Sequence, residues 1–361
     1  MEQDLFRNLP SDTIIHILLR LTPKNISTCK CVCKTWLNLI ESDNFHKSHP
    51  LVVVVSMPAK DSNRFNVFKL EDEHKEDLFT KFNFPRASTI QGSANGLLLL
   101  KDDHKDLYVC NPFTRDFVEL RGPPTSPLWG DYYGFGVSKI TGQHKIVCHN
   151  VKTGFQVYAL EAGSLWRGVE AANPSFDRCY TSVGAYVSGN LHWLVSNRRG
   201  IPYVCCFDLE TERFSTFSVP PKSVGIKGRL CTLGDYLCFY NDEASYNSFI
   251  WLLKEYEQAE KCWIKVMRVP HLGIFSSRHT DDGDYCKKFV HPIKVYRNGD
   301  MLLLWEGRHF LYYSGKSRKV RKVDSFGHIS EDCWYRINSI HLTPRFLPLK
   351  RILGMENIIS F

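Results

Sequence analysis

The sequence contains no apolar run of the length that a membrane helix needs. Apolar stretches such as "LVVVV" from Leu51 and "GLLLL" from Gly96 are of strand length, whereas a membrane helix takes about 20 residues. The N-terminal stretch "MEQDLFRNLPSD" lacks the basic segment and the long apolar core of a secretory signal. We therefore expect the chain to fold in the cytosol or nucleus, with its 13 cysteines as free thiols.

Catalytic and metal-binding motifs are also missing. No two cysteines have the CxxC spacing of a zinc site, and the alternating Cys29, Cys31 and Cys33 are poorly placed to converge on one ion. We interpret these three thiols as small apolar side chains in a helical packing layer. The sequence has no GxSxG or HExxH motif either. It therefore predicts no catalytic residue, no metal and no cofactor.

The charge balance is mildly basic. The chain has 46 Lys and Arg against 38 Asp and Glu, a formal net charge of +8. One dense basic cluster is present, "GKSRKVRK" from Gly315 to Lys322. We interpret it as a solvated hairpin. A nuclear-targeting signal and a contact for an acidic partner are the alternatives.

The first fifty residues have the pattern of helices. The stretch "SDTIIHILLRL" places Ile14, Ile17 and Leu18 at helical spacing, and Pro10 supplies the chemistry of a helix start. Further helices are predicted around residues 25–30 and from about residue 33 to 40. These helices form a small three-helix module.

From Leu51 onward the pattern is that of short strands separated by turns. Turn glycines recur at Gly96, Gly142, Gly189 and Gly234, in steps of 46, 47 and 45 residues. A repeat of this length, with about four strands in each step, is typical of a propeller blade. We therefore predict a mainly β fold, in which a helical module at residues 1–50 precedes a β-propeller-like domain of about six antiparallel units at residues 51–361.

Two further points concern that β-rich domain. The last strand-like stretch, "INSIHLTPRF", is expected to pair with the first of the six predicted blades and close the ring, which removes free sheet edges. The alternative architecture is a stack of irregular antiparallel sheets.

The N-terminal stretch "NLPSDTIIHILLRLTPKNISTCKCVCKTWLNLIESDNF" resembles an F-box, the helical module that binds the Skp adaptor of SCF-type ubiquitin ligases. The resemblance implies a Skp interface with apolar side chains that a module of this size does not bury alone. Its residues are Leu9, Pro10, Ile14, Ile17, Leu18, Leu21, Val32, Lys34, Trp36, Leu39 and Ile40.

The remainder resembles the F-box-associated domain of the plant family that includes the S-locus F-box proteins. The matching pieces run in order along the chain and include "GSANGLLLL", "CNPFTRDF", "YVSGNLHWLV" and "CCFDLETERF". The resemblance implies a non-catalytic adaptor that joins a target protein to Skp, and through Skp to cullin and the RING subunit. It implies no nucleic acid and no membrane as partners.

Two other functions stay open at this point. One is a Skp-binding scaffold that directs no ubiquitylation, and the other is a propeller enzyme or sugar-binding protein. A basic ribonuclease, which S-locus relatives recognise, is a minor alternative as the target because this chain is itself basic.

The target surface is predicted from an irregular spacing. The step from Gly234 to Gly299 is 65 residues, and the excess falls in residues 271–288, a polar stretch with few strand signals. Loops of this length inside a compact domain are usually functional or disordered. We therefore expect Arg278, His279 and Asp281 to border the target surface, with a disordered loop as the alternative.

Overall fold

The computed structural model divides the chain into two compact units. The first comprises Met1–Arg121 with Ile340–Phe361, and the second comprises Gly122–Ser339. The residues that the structure describes are 9–59, 62–71, 76–84, 86–87, 89–123, 131–150, 153–161, 163–169, 178–181, 183–221, 228–243, 247–254, 262–270, 290–305, 309–323 and 338–361. Within these ranges, no helix has the length and apolar character required to cross a membrane.

The described residues form short helices and many strands. The helices are α1 (Ser11–Leu18), α2 (Pro23–Cys29), α3 (Lys34–Ile40), α4 (Asp43–Ser48) and α5 (Leu349–Leu353). The strands are β1 (Val52–Ala59), β2 (Ser62–Leu70), β3 (Glu76–Asn83), β4 (Thr89–Ala94), β5 (Leu97–Lys101), β6 (Leu107–Asn111), β7 (Asp116–Leu120), β8 (Tyr132–Val137), β9 (His144–Asn150), β10 (Gly154–Ala159), β11 (Arg167–Gly168), β12 (Arg178–Cys179), β13 (Ala185–Val187), β14 (Asn190–Ser196), β15 (Pro202–Asp208), β16 (Phe214–Ser218), β17 (Gly228–Leu233), β18 (Tyr236–Glu243), β19 (Asn247–Lys254), β20 (Cys262–Pro270), β21 (Val290–Val295), β22 (Met301–Trp305), β23 (His309–Tyr313), β24 (Val320–Lys322), β25 (Asn338–Leu342) and β26 (Ile359–Ser360).

The N-terminal helices confirm the predicted helical module and add one helix to it. Side chains cap three of the four helices: Thr22 accepts from the backbone N–H of Asn25, Cys33 from that of Trp36, and Ser42 from that of Phe45. The sequence predicts no helix after residue 40 within this module. Residues 43–48 nevertheless form the short helix α4, because the Ser42 cap starts a helical turn whose Phe45 is fully buried.

The first unit contains two antiparallel sheets. Their strand orders are β25-β1-β2-β3 and β26-β7-β6-β5-β4. Strand β25 lies beside β1, so the predicted return of the last strand to the first sheet is confirmed. The short strand β26 adds to the open edge of β7, where Ile359 pairs with Phe117. Strand β26 therefore covers the outer edge of β7, which would otherwise have unpaired backbone groups.

One core joins the helices and sheets of the first unit. Ile14, Leu18 and Phe45 from the helices belong to the same buried cluster as Val54 of β1 and Leu98 of β5. The predicted boundary near residue 50 is therefore not a break in the packing. A division of the chain into functional domains at that point stays a prediction.

The second unit contains four antiparallel sheets, and neighbouring sheets share apolar clusters. The sheets are β8–β11, β12–β16, β17–β20 and β21–β24. Trp193 of β14 packs with Phe155 of β10, Leu230 of β17 belongs to the same buried cluster as Leu194 of β14, and Met301 of β22 to the same cluster as Ile250 of β19. With the two sheets of the first unit, the described residues form six sheets, the predicted number.

The repeated glycines lie at equivalent turns. Each of Gly96, Gly142, Gly189, Gly234 and Gly299 lies in the turn between two consecutive paired strands of its sheet, with φ of 82°, 70°, 81°, 60° and 83°. This confirms the repeat predicted from the sequence, because left-handed turn positions favour glycine. At Gly96 a second constraint applies, because a Cβ there would overlap Cβ of Arg345 and come within 3.1 Å of the Thr343 carbonyl oxygen.

We expect Gly96→Ala to destabilise the first unit far more than Gly354→Ala. Both glycines have positive φ in the same unit, but an added Cβ at Gly354 meets no atom within 4 Å. Gly354→Ala should cost about 1 kcal/mol of backbone strain, and Gly96→Ala should cost about 2 kcal/mol more because residues 343–345 must move. Urea unfolding of both variants measures the difference. Equal losses would show that residues 343–345 do not constrain this turn.

Candidate functional site

The structure divides the eleven residues assigned to the Skp interface by their burial. Leu18 and Ile40 are fully buried and Ile14 is 6% exposed, so these three form the inner side of the helices. Leu9, Leu21, Trp36 and Leu39 are half-buried and pack against the core cluster of the first unit. Pro10, Ile17, Val32 and Lys34 are exposed. Only the exposed and half-buried residues offer surface to a partner in this conformation.

The exposed apolar residues lie on successive parts of the module. Ile17 is on the last turn of α1 and is 41% exposed, and Val32 is in the turn between α2 and α3 and is 62% exposed. Pro10 directly precedes α1, with the extended backbone (φ −57°, ψ 144°) that proline favours. Lys34 begins α3. We define Pro10, Ile17, Val32 and Lys34 as the outer surface of the helical module.

The three alternating cysteines have different environments. Cys29 is half-buried against the core cluster, as predicted, and burial raises the pKa of its thiol. The prediction of packed thiols was wrong for Cys31 and Cys33, which are exposed. The reason is a turn between α2 and α3, which points both residues away from the core; Cys33 caps α3 there, with its Sγ 3.5 Å from the Trp36 nitrogen.

The helical module is held by a segment from the other end of the sequence. We call residues 343–349 the C-terminal strap. The buried side chain of Asn111, at the end of β6, donates its amide hydrogens to the carbonyls of Arg345 at 2.9 Å and Leu347 at 3.0 Å. Asp116, at the start of β7, accepts from the backbone N–H of Leu349 at 2.8 Å. The motif "CNPFTRDF" therefore binds this strap through Asn111 and Asp116.

The strap in turn contacts the helices. Phe346 is fully buried, with its ring 6.0 Å from Phe45 of α4 and 5.3 Å from Phe113. Lys30, at the end of α2, donates both to the Phe346 carbonyl and to Glu41, 2.9 Å away. Glu41 also pairs with an arginine of α5, Arg351. The strap is thus hydrogen-bonded to a sheet on one side and to the helices on the other.

Two histidines are buried where the helices meet this core. His46 and His49 are each 5% exposed, and the His49 ring packs against Phe45 and Phe346 with centroids 5.0 and 5.2 Å apart. Burial, followed by the charge of Lys69 and by His46, lowers the pKa of His49 to about 3. Burial and then the charge of Arg345 lower the pKa of His46 to about 4. Both rings are therefore neutral in the folded chain near pH 7.

The residues predicted to border the target surface, Arg278, His279 and Asp281, lie outside the described residues. Their role stays a prediction. The basic cluster from Gly315 to Lys322 is described, and it forms an exposed turn between β23 and β24. This exposure agrees with a solvated hairpin, and the two alternatives, a nuclear-targeting signal and a contact for an acidic partner, stay predictions. Within the described ranges, no group of three or more His, Cys, Asp or Glu side chains is placed to hold a metal ion.

Sequence reasoning missed the strap and the residues that hold it. In the sequence, Asn111 and Asp116 are recognisable only as parts of a matching motif. No sequence pattern marks Lys30, Glu41 or Phe346. A usable signal was present, because a buried Asn or Asp at a strand end must find hydrogen-bond partners. The sequence could not show that these partners lie about 235 residues further along the chain.

Comparison with known proteins assigns this architecture to a class. The F-box associated beta propeller domain family matches residues 44–345, and the F-box domain family matches residues 6–48. The fold is thus a six-bladed β-propeller, one blade per sheet, preceded by the helices of an F-box. The chain belongs to the F-box associated beta propeller domain family and is a plant F-box protein.

Individual relatives agree with this assignment. The F-box/kelch-repeat protein At3g23880 of Arabidopsis thaliana is 25% identical, over 74% of this chain and 81% of its own. The F-box protein At5g65850 of the same plant is 27% identical, over 71% of this chain and 70% of its own. A solved structure, that of a DUF4784 family protein from Bacteroides caccae, is similar with a TM-score of 0.42 and 9% identity, over 78% of this chain and 72% of that one. An F-box joined to this propeller supports the general role of an SCF substrate adaptor.

We expect the free energy of unfolding to fall as the pH falls from about 6.5 towards 4. In that range the unfolded chain protonates His46 and His49, whose ordinary pKa is 6.5, while the folded chain keeps both neutral. The loss should approach about 1.4 kcal/mol per pH unit for each histidine. Urea unfolding as a function of pH measures this slope.

A substitution separates this contribution from other titrating groups. His49→Phe keeps an aromatic ring in the core and removes one titration, so its stability should fall less steeply below pH 6.5. His16→Gln, on the exposed side of α1, serves as the control because it removes a histidine that lies outside this core. A wild-type slope in the His49 variant would contradict the assignment.

Proposed function

We propose that the protein is the substrate receptor of an SCF-type ubiquitin ligase. In this proposal the helical module binds the Skp adaptor, which links it to cullin and the RING subunit, and the propeller holds a target protein for ubiquitin transfer. The chain itself performs no covalent chemistry. We propose the cytosol or nucleus as the compartment.

The observation that carries the proposal is the uncovered apolar surface of the helical module. Ile17 and Val32 are exposed although Ile14 and Leu18, on the same helix as Ile17, are buried. Exposed apolar side chains next to a complete core indicate a partner surface rather than an unfinished core. The F-box family match over residues 6–48 supports a Skp-type adaptor as this partner.

The strap supports the part of the proposal in which the propeller holds a target protein for ubiquitin transfer. It contacts α2 and α4 and is hydrogen-bonded to the sheet that contains Asn111, so the F-box helices and the first two blades share one packed structure. A ligase must hold its target at a defined distance from the transferred ubiquitin, because positioning supplies most of the catalytic advantage in such a reaction. A module fixed by buried hydrogen bonds meets this requirement better than one on a flexible linker.

We expect Ile17→Glu and Val32→Glu each to reduce capture of the Skp adaptor at least about tenfold, because a buried unpaired carboxylate costs several kcal/mol at an apolar interface. The free energy of unfolding should change by less than about 0.5 kcal/mol, because both side chains are exposed in the free chain. Co-purification of the tagged full chain with Skp gives the first readout, and urea unfolding gives the second.

Two controls make this result specific. Ile140→Glu alters an apolar residue of the second unit that is 83% exposed, and it should leave Skp capture intact. Leu18→Ala should instead lower stability by about 2–5 kcal/mol, because Leu18 is fully buried. Full Skp capture by the Ile17 and Val32 variants would show that the outer surface is not part of the interface.

A separate experiment distinguishes a substrate receptor from a scaffold. It measures ubiquitin transfer to a captured target in the complex assembled with cullin and the RING subunit.

A further inference from the structure

The positive charge of the protein is concentrated in one part of the sequence. Residues 262–323 contain 13 Lys and Arg but only 5 Asp and Glu, a net charge of +8. The whole chain has the same net charge of +8, so all its other residues balance to zero. A basic surface confined to one region indicates an acidic partner there, because a general solubility requirement would spread the charge.

The structure places this charge on the sheet of β21 to β24, which we call the sixth blade, and on strand β20. The described residues of β20 and of β21 to β24 with their turns include nine Lys and Arg and one acid, Asp300. Asp300 is 7% exposed and is engaged internally, since it accepts from the backbone N–H of Gly315 at 2.8 Å and from Asn298 at 2.7 Å. Its carboxylate is therefore not available to neutralise the surface cations.

Aromatic rings, rather than carboxylates, support two of these cations. The Lys265 ammonium lies 4.1 Å from the ring centroid of Phe249 and 4.8 Å from that of Trp251. The Arg321 guanidinium lies 4.4 Å from the ring centroid of Tyr312. A cation held over a ring keeps its full positive charge and is oriented without a counter-ion.

A groove of about 560 Å³ lies between β20 and the turns of the sixth blade. Val266, Met267 and Arg268 line it on the β20 side, and Tyr313, Gly315 and Arg318 line it on the other. The Tyr313 hydroxyl donates to the Arg268 carbonyl at 3.3 Å, which joins the two walls. The groove therefore combines an apolar wall with an arginine on each side.

Strand β20 is also an edge strand. It is the last strand of its sheet and pairs only with β19 among the described strands. Ile264 and Val266 on this strand are 39% and 41% exposed, and the register with β19 shifts next to Val266. An edge strand with exposed backbone groups and apolar side chains can accept one more strand from a partner.

We propose that the groove between β20 and the β23–β24 turn binds an extended segment of the target protein that is rich in aspartate and glutamate. The inference rests on the proposed function and specifies the target class. The segment would lie along β20, with apolar side chains against Val266 and Met267 and carboxylates near Arg268 and Arg318. A single-stranded nucleic acid fits less well, because its bases need open aromatic faces, and cations cover those of Phe249, Trp251 and Tyr312.

The test uses the full chain co-purified with the Skp adaptor. The probe is a fluorescent peptide of about twelve residues that alternates Glu or Asp with Val or Thr, and its anisotropy is followed at increasing salt. We expect specific binding that weakens with salt, and a loss of about tenfold or more in affinity for the double variant R268Q/R318N. Glutamine keeps a donor for Asn247, which the Arg268 Nε contacts at 3.0 Å, and asparagine tolerates the positive φ of 55° at Arg318.

The control variant R198Q/R199Q removes the same two charges from an exposed turn between β14 and β15. It should lose less than about twofold in affinity. A third variant, K316Q/K319Q, alters only exposed turn residues and should show a clear loss without any effect on folding. Equal losses in the groove and control variants would overturn the proposal, since binding would then follow net charge alone.

Competing ligands complete the test. Tighter groove-dependent binding of a twelve-nucleotide RNA, or of a phosphoserine peptide with no other acid, would also overturn the assignment to an Asp- and Glu-rich segment. So would absence of peptide binding by the intact complex. Skp retention is read on the same samples, so failure of the peptide to bind a complex that retains Skp defeats only this inference. Failure to capture Skp at all would defeat the proposed function.

Discussion

The carboxamide of Asn111 is the interaction on which the first unit depends. It is fully buried, and its amide group is saturated by the carbonyls of Arg345 and Leu347 while its oxygen accepts from the backbone N–H of Phe113. A buried amide that is fully paired stabilises only the arrangement that pairs it, since any other arrangement leaves donors without acceptors. This side chain therefore selects one path for the C-terminal strap, and the strap brings Phe346, Arg345 and α5 to the F-box helices.

The consequence is a shared core in place of two cores and a linker. Phe346 fills the space between Phe45 of the helical module and Phe113 of the second blade, and Lys30 binds the Phe346 carbonyl. The helices are short, six to eight residues each, and helices of this length are not stable alone in water. Their stability comes from the blades and the strap. This leaves their outer side chains, Ile17 and Val32, free of any structural duty and available to a partner.

The sequence predicted what is local and repeated, and missed what is distant. The turn glycines were found because a left-handed turn restricts the residue type wherever it occurs, and α1 because its apolar spacing is helical. Helix α4 was missed because tertiary burial of Phe45 decides it. The strap was missed because its partners are 234 and 236 residues away. The cysteines show a third kind of error: Cys31 and Cys33 were interpreted by residue type, but a turn sets their exposure. The exposed part of the candidate site also needed the structure, because helical spacing groups Ile14, Ile17 and Leu18, whereas the fold buries Ile14 and Leu18 and leaves Ile17 exposed.

An adaptor obtains its selectivity from surfaces, and in the described residues the two compact units carry different kinds. The first presents apolar side chains on rigid short helices, which suits a constant partner bound by shape and burial. The second concentrates the net charge of +8 on one blade and one edge strand, and charge governs the rate of encounter and the rejection of wrong partners more than it governs affinity. Under the proposed function, two surfaces of different chemistry let the target contacts change without disturbing the adaptor contacts, because substitutions at residues that share no partner act almost independently. In this chain the charged surface is built on turns and an edge strand, where a substitution costs little stability. Asn111 and Phe346 are instead fully buried, and a substitution of either is costly.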